Sequence, residues 1–468
     1  MCVQPRSRSN QGGQKSSKSA NEAELRNNFE LTDKRTLDAL VGVRALACMS
    51  IVAGHSMFAL GFAWPERYMD WYAALDVHSW MLALVTLSEP AMDTFLILTG
   101  FLAAHSLGPA FQSGKHPSQV VGSYMKRRLL RIVPSYYATL VLVYCAFLPL
   151  LYSGARSGVP SDARQAISTL WFNPGDGCPD KLWANWFFAN NQIRRAGCMK
   201  YTWSQAVQAQ FFVGFPLLLL LLRPAVRGLY RRMALMSSLV IAAVTAYRAA
   251  IALQFELPVP VFGPLDDPRM LELMTRTLRL SYYSLLPRLS HLSFGVLGAC
   301  SLRSTAVRQA LTKRRELSNC GVAAAAAFVA ALLFGNRFGP APDPAHPLSS
   351  PAALVTGVAL VTGLLQPAAL TYIIVHLALK ISGTLSGCLS WRGWRPIADA
   401  SYDVYLLHPM VMFGVWSLLP PGKWFDVSNP RLLPFLAVAG IVFGISFVLA
   451  TAHSRACRWV LRRFGLTT

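Results

Sequence analysis

The sequence predicts an all-α fold, a polytopic transmembrane helix bundle of about ten spans with both termini in the cytosol. The first observation is composition, because 53% of the 468 residues are hydrophobic and only 14% are charged. The second is the repeated occurrence of apolar runs long enough to cross a hydrocarbon layer of about 30 Å as helices. The third is the uneven placement of a net charge of +22, which indicates the topology.

Each predicted span is an apolar run of bilayer-crossing length that is flanked by polar or charged residues. The spans lie at 38–62, 84–107, 130–152, 203–222, 233–254, 281–302, 318–335, 352–378, 397–418 and 432–453. The eighth span contains Pro367, which leaves open whether it is shifted along the chain or broken.

The basic residues concentrate on one predicted side of the membrane. With the N-terminus in the cytosol, the cytosolic segments hold 27 of the 44 Lys and Arg residues but only 7 of the 22 acidic residues. The outer loops hold 13 residues of each sign. This pattern is the positive-inside distribution of membrane proteins. The basic excess therefore indicates topology, and we expect no nucleic-acid partner.

The chain divides into three predicted parts. Residues 1–36 are polar, show no cleavable signal peptide and predict a disordered basic cytosolic tail. Residues 37–456 form the transmembrane domain, with a long outer loop at 153–202, and residues 457–468 are a basic cytosolic end. We therefore expect a multi-pass integral protein of the plasma membrane or an endomembrane, in contact with membrane lipid.

The outer loop carries two of the nine cysteines, Cys178 and Cys198. An oxidising compartment outside the cytosol would let them pair, so a disulfide is favoured over the alternative of two free thiols. No Cys/His spacing is typical of a zinc site, and no glycine-rich phosphate-binding motif is present. We therefore expect no bound metal.

The first span contains two polar groups, Arg44 and His55, with ten residues between them. At the helical rise per residue, they lie about 16 Å apart along the axis. A charged side chain inside a membrane is costly and needs a partner, a ligand or a function. The predicted orientation places Arg44 near the inner face and His55 in the outer half. We expect Arg44 to bind a ligand and His55 to take part in chemistry.

The next two spans carry further charged groups at matching depths. Asp93 lies at the depth of His55, which predicts a pair in which the carboxylate orients the imidazole and raises its basicity. The alternative is that Asp93 has a structural partner. Arg128 and Arg131 share one helix face near the depth of Arg44. Arginine forks bind phosphates bidentately, so the three arginines predict a site for a cytosolic polyphosphate.

Polar groups also interrupt the fourth and sixth spans. Gln208 and Gln210 lie within the fourth apolar run and should face a polar interior. Arg288 on the sixth span lies at a depth similar to that of Asp93 and Gln208, which predicts one polar pocket lined by all three. For His408, which precedes a proline in the ninth span, a structural role is favoured.

Five segments, in this order, resemble motifs of the acyltransferase-3 family of integral membrane O-acyltransferases, above all its nose-resistant-to-fluoxetine-like branch. They are the Arg44 and His55 spacing, Asp93-Thr-Phe with Thr99-Gly-Phe-Leu, Arg128-Leu-Leu-Arg131 with Pro134, Asn190-Asn191 through Cys198-Met, Trp203 and Gln210-Phe-Phe, and Ser401-Tyr402-Asp403-Val-Tyr405-Leu-Leu-His408-Pro409. The likeness extends from about residue 37 to residue 456.

The resemblance implies transfer of an acyl group, usually acetyl, to a hydroxyl of a carbohydrate or lipid acceptor. It implies that acyl-CoA is a co-substrate and that no cofactor is bound. His55 would be the catalytic base, and Arg44, Arg128 and Arg131 would bind the CoA donor. Tyr402, from the ninth-span motif, joins the pocket candidates.

Gln208 departs from the family pattern, which usually has a carboxylate at this position. Either Gln208 or Arg288 is a candidate donor to the thioester carbonyl. The alternative function is a lipid or small-molecule transporter, or a non-catalytic lipid-binding relative of the same fold, which the loss of the carboxylate favours. The complete arginine and histidine sets favour the enzyme.

Overall fold

A computed structural model describes residues 37–153, 160–193, 197–221, 228–255, 276, 278–334, 357 and 360–466. The regular structure of these residues is helical and contains no strand, which confirms the all-α prediction. The predicted tail at 1–36 lies outside the described residues. The predicted C-terminal end is described to residue 466, and its residues 457–463 belong to the last helix.

The α helices, numbered in chain order, follow the predicted spans with shorter helices between them. They are α1 Asp38–Leu60, α2 Tyr68–Val77, α3 Ser79–Gln112, α4 Pro117–Leu142, α5 Leu148–Tyr152, α6 Ser161–Trp171, α7 Trp183–Trp186, α8 Trp203–Leu221, α9 Leu229–Phe255, α10 Leu285–Arg303, α11 Thr305–Lys313, α12 Arg315–Phe334, α13 Gln366–Ala378, α14 Gly383–Leu389, α15 Trp394–Leu418, α16 Pro421–Trp424 and α17 Leu432–Arg463. Wider π turns, Val143–Phe147, Leu278–Tyr283 and Val361–Leu365, precede α5, α10 and α13.

Within the described ranges, nine helical segments are long and apolar enough to cross a membrane. They are Asp38–Leu60, Ser79–Gln112, Pro117–Tyr152, Lys200–Leu221, Leu229–Gln254, Leu278–Arg303, Arg315–Phe334, Val361–Ala378 and Leu432–Arg463. This result confirms the polytopic helix bundle. The cytosolic location of both termini stays a prediction.

The ninth predicted span, 397–418, corresponds to α15, which is not among the nine. At 25 residues, α15 is about 37 Å long and could reach across a bilayer. Its composition is less apolar because it carries charged residues such as Arg395, Asp399 and Asp403. Many of its residues are buried, which is where a helix with polar groups is tolerated in a membrane protein.

Pro367, which raised the question of a broken span, occupies the first turn of α13. A proline is tolerated there because its missing N–H would have no helical acceptor. The π turn Val361–Leu365 continues the span on the N-terminal side. The predicted stretch 352–356 lies outside the described residues.

Helix α3 is central, because it packs against α1 on one side and α10 on the other. Helix α1 in turn packs against α15, which packs against α17. Gly100 of α3 and Gly295 of α10 lie at the crossing, where a Cβ on either would come within 1.9 Å of a carbonyl oxygen of the other helix. Small residues allow membrane helices to approach this closely.

The predicted outer loop 153–202 covers one end of the bundle. Its helix α6 packs against both α15 and α1. The structure joins Cys178 and Cys198 in a disulfide. Gln210 of α8 also anchors this loop, since its Nε2 donates to the Phe188 carbonyl oxygen at 2.8 Å and to Asn191 Oδ1 at 2.9 Å. These contacts hold α6 over the site described next.

Candidate active site

The three arginines singled out in the sequence line one cavity of about 110 Å³. Arg44 comes from α1, whereas Arg128 and Arg131 come from the middle of α4. The other residues around the cavity come from α3, α4, α8 and α15. They are Met92, Phe95, Leu98, Thr99, Leu102, Ile132, Gln205, Gln208, Phe212, Ser401, Tyr402 and Tyr405. The structure therefore brings together distant parts of the sequence around one concentration of positive charge.

Helix α15 holds Arg44 in place. One guanidinium nitrogen, Nη2, donates to the Ala398 carbonyl oxygen at 2.9 Å and lies 3.2 Å from Ser401 Oγ. An arginine has five N–H donors in a planar fork. Among the described residues, the hydrogen bonds of Arg44 use Nη2 alone. The remaining N–H groups are available to a ligand in the cavity.

The two arginines of α4 differ in their surroundings. The Arg128 guanidinium lies 5.3 Å from the ring centre of Tyr124 and 5.2 Å from that of Phe212, which holds it by cation–π attraction. Arg131 is exposed at the edge of the cavity. Together with Arg44, these groups form an anion-binding arrangement on the side of the bundle that the charge distribution predicts to be cytosolic.

The cavity lining also includes amides and a phenol. Thr99 Oγ1 lies 3.2 Å from Gln208 Oε1, and Tyr402 donates its hydroxyl to the Ile132 carbonyl oxygen at 3.2 Å. Gln205 Oε1 is buried and has no hydrogen-bond partner in the part of the chain that the structure describes. A buried acceptor left unpaired is costly, so this oxygen is suited to a ligand N–H. Gln208 and Tyr402 are thus cavity residues, as the sequence predicts.

His55 is not one of the residues that line the cavity, but it lies next to Tyr405, which is. Its ring centre is 6.5 Å from that of Tyr405, which lines the cavity, and 5.5 Å from that of Trp171 on α6. Its Nδ1 lies 2.8 Å from Nε2 of His408. The prediction that Asp93 is the partner of His55 was wrong, because the hydrogen-bond partner of His55 is the imidazole of His408 on α15.

Asp93 instead belongs to a separate buried cluster. Its Oδ1 accepts from Arg288 Nη1 at 2.7 Å, and its Oδ2 accepts from Gln366 Nε2 at 2.8 Å and lies 3.3 Å from His291 Nε2. The Arg288 and Asp93 side chains are only 2% and 0% exposed. The prediction that Asp93, Gln208 and Arg288 line one pocket was therefore wrong, since only Gln208 lines the arginine cavity. A buried carboxylate takes the nearest cation because leaving either charge unpaired costs several kcal/mol, roughly 3–5.

The sequence prediction also misassigned Gln210. Its side chain is directed to the outer loop, where it bonds Phe188 and Asn191, and it does not line the cavity. Gln208 and Gln210 are two residues apart and so lie on different faces of α8. Because both glutamines are polar residues in the same apolar run, the sequence did not indicate whether Gln208 or Gln210 is directed to the cavity.

Three residues of α15 contribute more to the site than the sequence indicated. Ser401 contacts Arg44, Tyr405 lines the cavity next to His55, and His408 bonds His55. Residues at i, i+4 and i+7 share one helix face, so their spacing contained a signal for a common lining. Because a structural role was favoured for His408, the sequence prediction did not include it in the site.

Comparison with known proteins agrees with the motifs. A family model described as an acyltransferase domain, that of the acyltransferase-3 family, matches residues 37–451. The chain is also 24% identical over 190 residues to nose resistant to fluoxetine protein 6 of Caenorhabditis elegans, a match that covers 38% of this chain and 21% of that relative. No solved structure shows significant similarity to the chain. The chain belongs to the acyltransferase-3 family of membrane acyltransferases, and its similarity to that relative agrees with the predicted branch.

Proposed function

We propose that this acyltransferase takes an acyl group, acetyl in the simplest case, from cytosolic acyl-CoA and transfers it to a hydroxyl of a carbohydrate or lipid acceptor. The observation that carries the proposal is the convergence of Arg44, Arg128 and Arg131 on a cavity that is also lined by Tyr405, the neighbour of His55. Guanidinium forks match the phosphates of CoA in charge and geometry.

The dimensions suit an extended pantetheine arm. Arg44 and His55 are separated by about 16 Å along α1, a distance that an extended chain of this kind can span. The cavity volume of about 110 Å³ corresponds to several water-sized groups. The unpaired Oε1 of Gln205 would accept a hydrogen bond from an amide N–H of the arm. In this arrangement the phosphates bind at the arginines and the thioester reaches His55.

The proposed reaction is a direct transfer. His55 removes the proton from the acceptor hydroxyl as its oxygen attacks the thioester carbonyl carbon. The new C–O ester bond forms, the C–S bond breaks, and the departing CoA sulfur takes up the proton from His55. Gln208 is the better of the two predicted donors to the carbonyl oxygen, because Arg288 is paired with Asp93 outside the cavity. An amide can donate a hydrogen bond that a carboxylate cannot, which is compatible with Gln208 in place of the usual acidic residue.

The substitution His55→Ala tests the function. We expect the purified chain to hydrolyse acetyl-CoA, with water in place of the acceptor hydroxyl, so that acetate and CoA thiol are released. H55A should lose this activity while it elutes as a single species with unchanged thermal stability. A matched control is His376→Ala, since His376 is also a buried helix histidine but does not bond the site residues. Wild-type turnover by H55A would contradict the assignment of the base.

Ligand binding distinguishes the proposed acyltransferase from the non-catalytic alternatives. Acetyl-CoA should raise the unfolding temperature of the wild-type protein in a concentration-dependent way, because a ligand that binds only the folded state stabilises it. Stabilisation without turnover would favour a lipid-binding relative that lost its chemistry, as the missing carboxylate at Gln208 suggests. Neither stabilisation nor turnover with any acyl-CoA would favour a transporter.

A further inference from the structure

A chain of two imidazoles and one carbonyl extends from His55 into α15. His55 Nδ1 lies 2.8 Å from His408 Nε2, and His408 Nδ1 lies 2.8 Å from the carbonyl oxygen of Tyr405. His408 is fully buried. The Tyr405 side chain is itself anchored, because its hydroxyl bonds the Tyr201 carbonyl oxygen and lies 3.0 Å from Ser204 Oγ.

The chemistry of these groups determines where the protons are. A carbonyl oxygen only accepts, so His408 must carry its proton on Nδ1. A neutral imidazole then has a lone pair on Nε2, and this atom accepts from His55. His55 must therefore be the tautomer protonated on Nδ1, with the lone pair on Nε2. That lone pair is the one a general base needs.

Pro409 supplies the reason that the Tyr405 carbonyl is free to accept. In an α-helix, the N–H of residue i donates to the carbonyl of residue i−4. Residue 409 would donate to residue 405, but proline has no N–H. The Tyr405 carbonyl therefore lacks its helical donor, and it accepts a hydrogen bond from His408 instead. The Tyr-x-x-His-Pro order in α15 thus sets the tautomer of His408, and through it the tautomer of His55.

We infer that His408 is a positioning residue for acyl transfer, which holds His55 in the tautomer with a free Nε2, and that Pro409 holds His408 in turn by freeing the Tyr405 carbonyl. The inference rests on the proposed function of His55 as the base. This orienting group is neutral, unlike the carboxylate that the sequence suggested. Once His55 has taken the acceptor proton, its Nδ1–H remains hydrogen-bonded to His408 Nε2 until the CoA sulfur removes the added proton.

The test compares His408→Phe, His408→Gln and Pro409→Ala with the wild-type chain in lipid nanodiscs, using release of CoA thiol from acetyl-CoA. H408F keeps a ring of similar size but accepts no hydrogen bond, so we expect kcat to fall roughly 10–100-fold with KM for acetyl-CoA unchanged within about twofold. H408Q offers an amide oxygen to His55 and should recover part of kcat. The matched control is His376→Phe, which removes another buried histidine and should leave both constants unchanged.

Nitrogen chemical shifts of labelled histidine provide a readout that does not depend on turnover. We expect His55 in the wild-type chain to show a protonated Nδ1 and an unprotonated Nε2, and both H408F and P409A to mix the two tautomers. Wild-type kcat in H408F, or a His55 protonated on Nε2 in the wild-type chain, would overturn the role of His408. A single His55 tautomer in P409A, the same as in the wild-type chain, would overturn the role of Pro409. A wild-type chain that does not turn over any acyl-CoA would contradict the proposed function instead, and the chemical shifts would still test the hydrogen-bond chain.

Discussion

At the residue scale, three guanidinium groups share one cavity but are held by different means. Arg44 is tied to α15 by hydrogen bonds, and Arg128 is held between two aromatic rings. Arg131 is exposed at the cavity edge and has the freedom to follow a ligand. Two carboxylates lie near these three arginines: Asp403 is engaged by His453 at 2.8 Å, and Asp399 is exposed. The cavity therefore has an excess of positive charge that an anion can neutralise.

Arg131→Ala should raise KM for acetyl-CoA roughly 10–100-fold with a smaller effect on kcat, because a hydrogen bond to a charged group contributes about 1.5–3 kcal/mol. Arg131→Lys should have an intermediate effect, since an ammonium keeps the charge but loses the planar fork. The measurement is the dependence of thiol release on donor concentration.

Arg127→Ala is the matched control for this prediction. Arg127 is an exposed arginine of the same helix and is absent from the cavity lining. It should leave the donor dependence unchanged. Equal effects of R127A and R131A would indicate a general electrostatic attraction, and no effect of R131A would remove this residue from the proposed phosphate site.

At the element scale, the crossing of α3 and α10 positions the rest of the bundle. Gly100 faces the Leu292 carbonyl, and Gly295 faces that of Ile97. Asp93, on α3, and Arg288 and His291, on α10, lie on the same pair of helices and form the buried cluster. Asp93 therefore joins helices α3 and α10, and its ion pair acts on helix packing more directly than on His55.

Gly100→Ala and Gly295→Ala should each destabilise the protein, because an added Cβ would meet a backbone carbonyl that cannot rotate away. Overpacking of this kind costs about 1–3 kcal/mol. The check is the thermal unfolding midpoint of the purified variants, which should fall. Gly440→Ala is the control, since its Cβ would meet no atom within 4 Å and alanine is a better helix former. Unchanged midpoints in both variants would mean that the helices can separate without cost.

At the scale of the whole molecule, the distribution of the net charge of +22 along the chain indicates the membrane topology. Of the arginines proposed to bind the CoA phosphates, Arg128 is one of the residues that mark the predicted cytosolic face, and Arg44 and Arg131 lie in predicted spans near that face. The disulfide-bonded loop lies near the other end of α1, over His55. The molecule would thus take its donor from the cytosolic side and carry out chemistry nearer the opposite side.

Epitope tags at the two termini should therefore be accessible to antibody only after the membrane is permeabilised, as the positive-inside rule predicts. A tag placed within 153–202 should be accessible in intact cells, or protected within sealed microsomes if the protein resides in an endomembrane. Accessibility of the two termini on opposite sides would contradict the predicted even number of spans.

Much of the site was predictable because helical rise converts sequence position into depth. Arg44, Arg128 and Arg131 were predicted to meet near one face, and the structure places them around one cavity. The same reasoning paired His55 with Asp93, which lies at a similar depth, and this was wrong. Depth is one coordinate, whereas contact also requires the right neighbouring helix and the right face of it. Sequence spacing within one helix does not specify either.

The sequence by itself determined the helical class, the apolar segments, the uneven charge and the family motifs, because these depend on composition and on spacing along single helices. Only the tertiary structure decided that α15 lies against α1 and that α10 lies against α3. Those neighbours give His55 a histidine partner and Asp93 an arginine partner. The physical reason is packing: side chains far apart in the sequence meet only where two helices approach each other, as at the small residues of the α3 and α10 crossing.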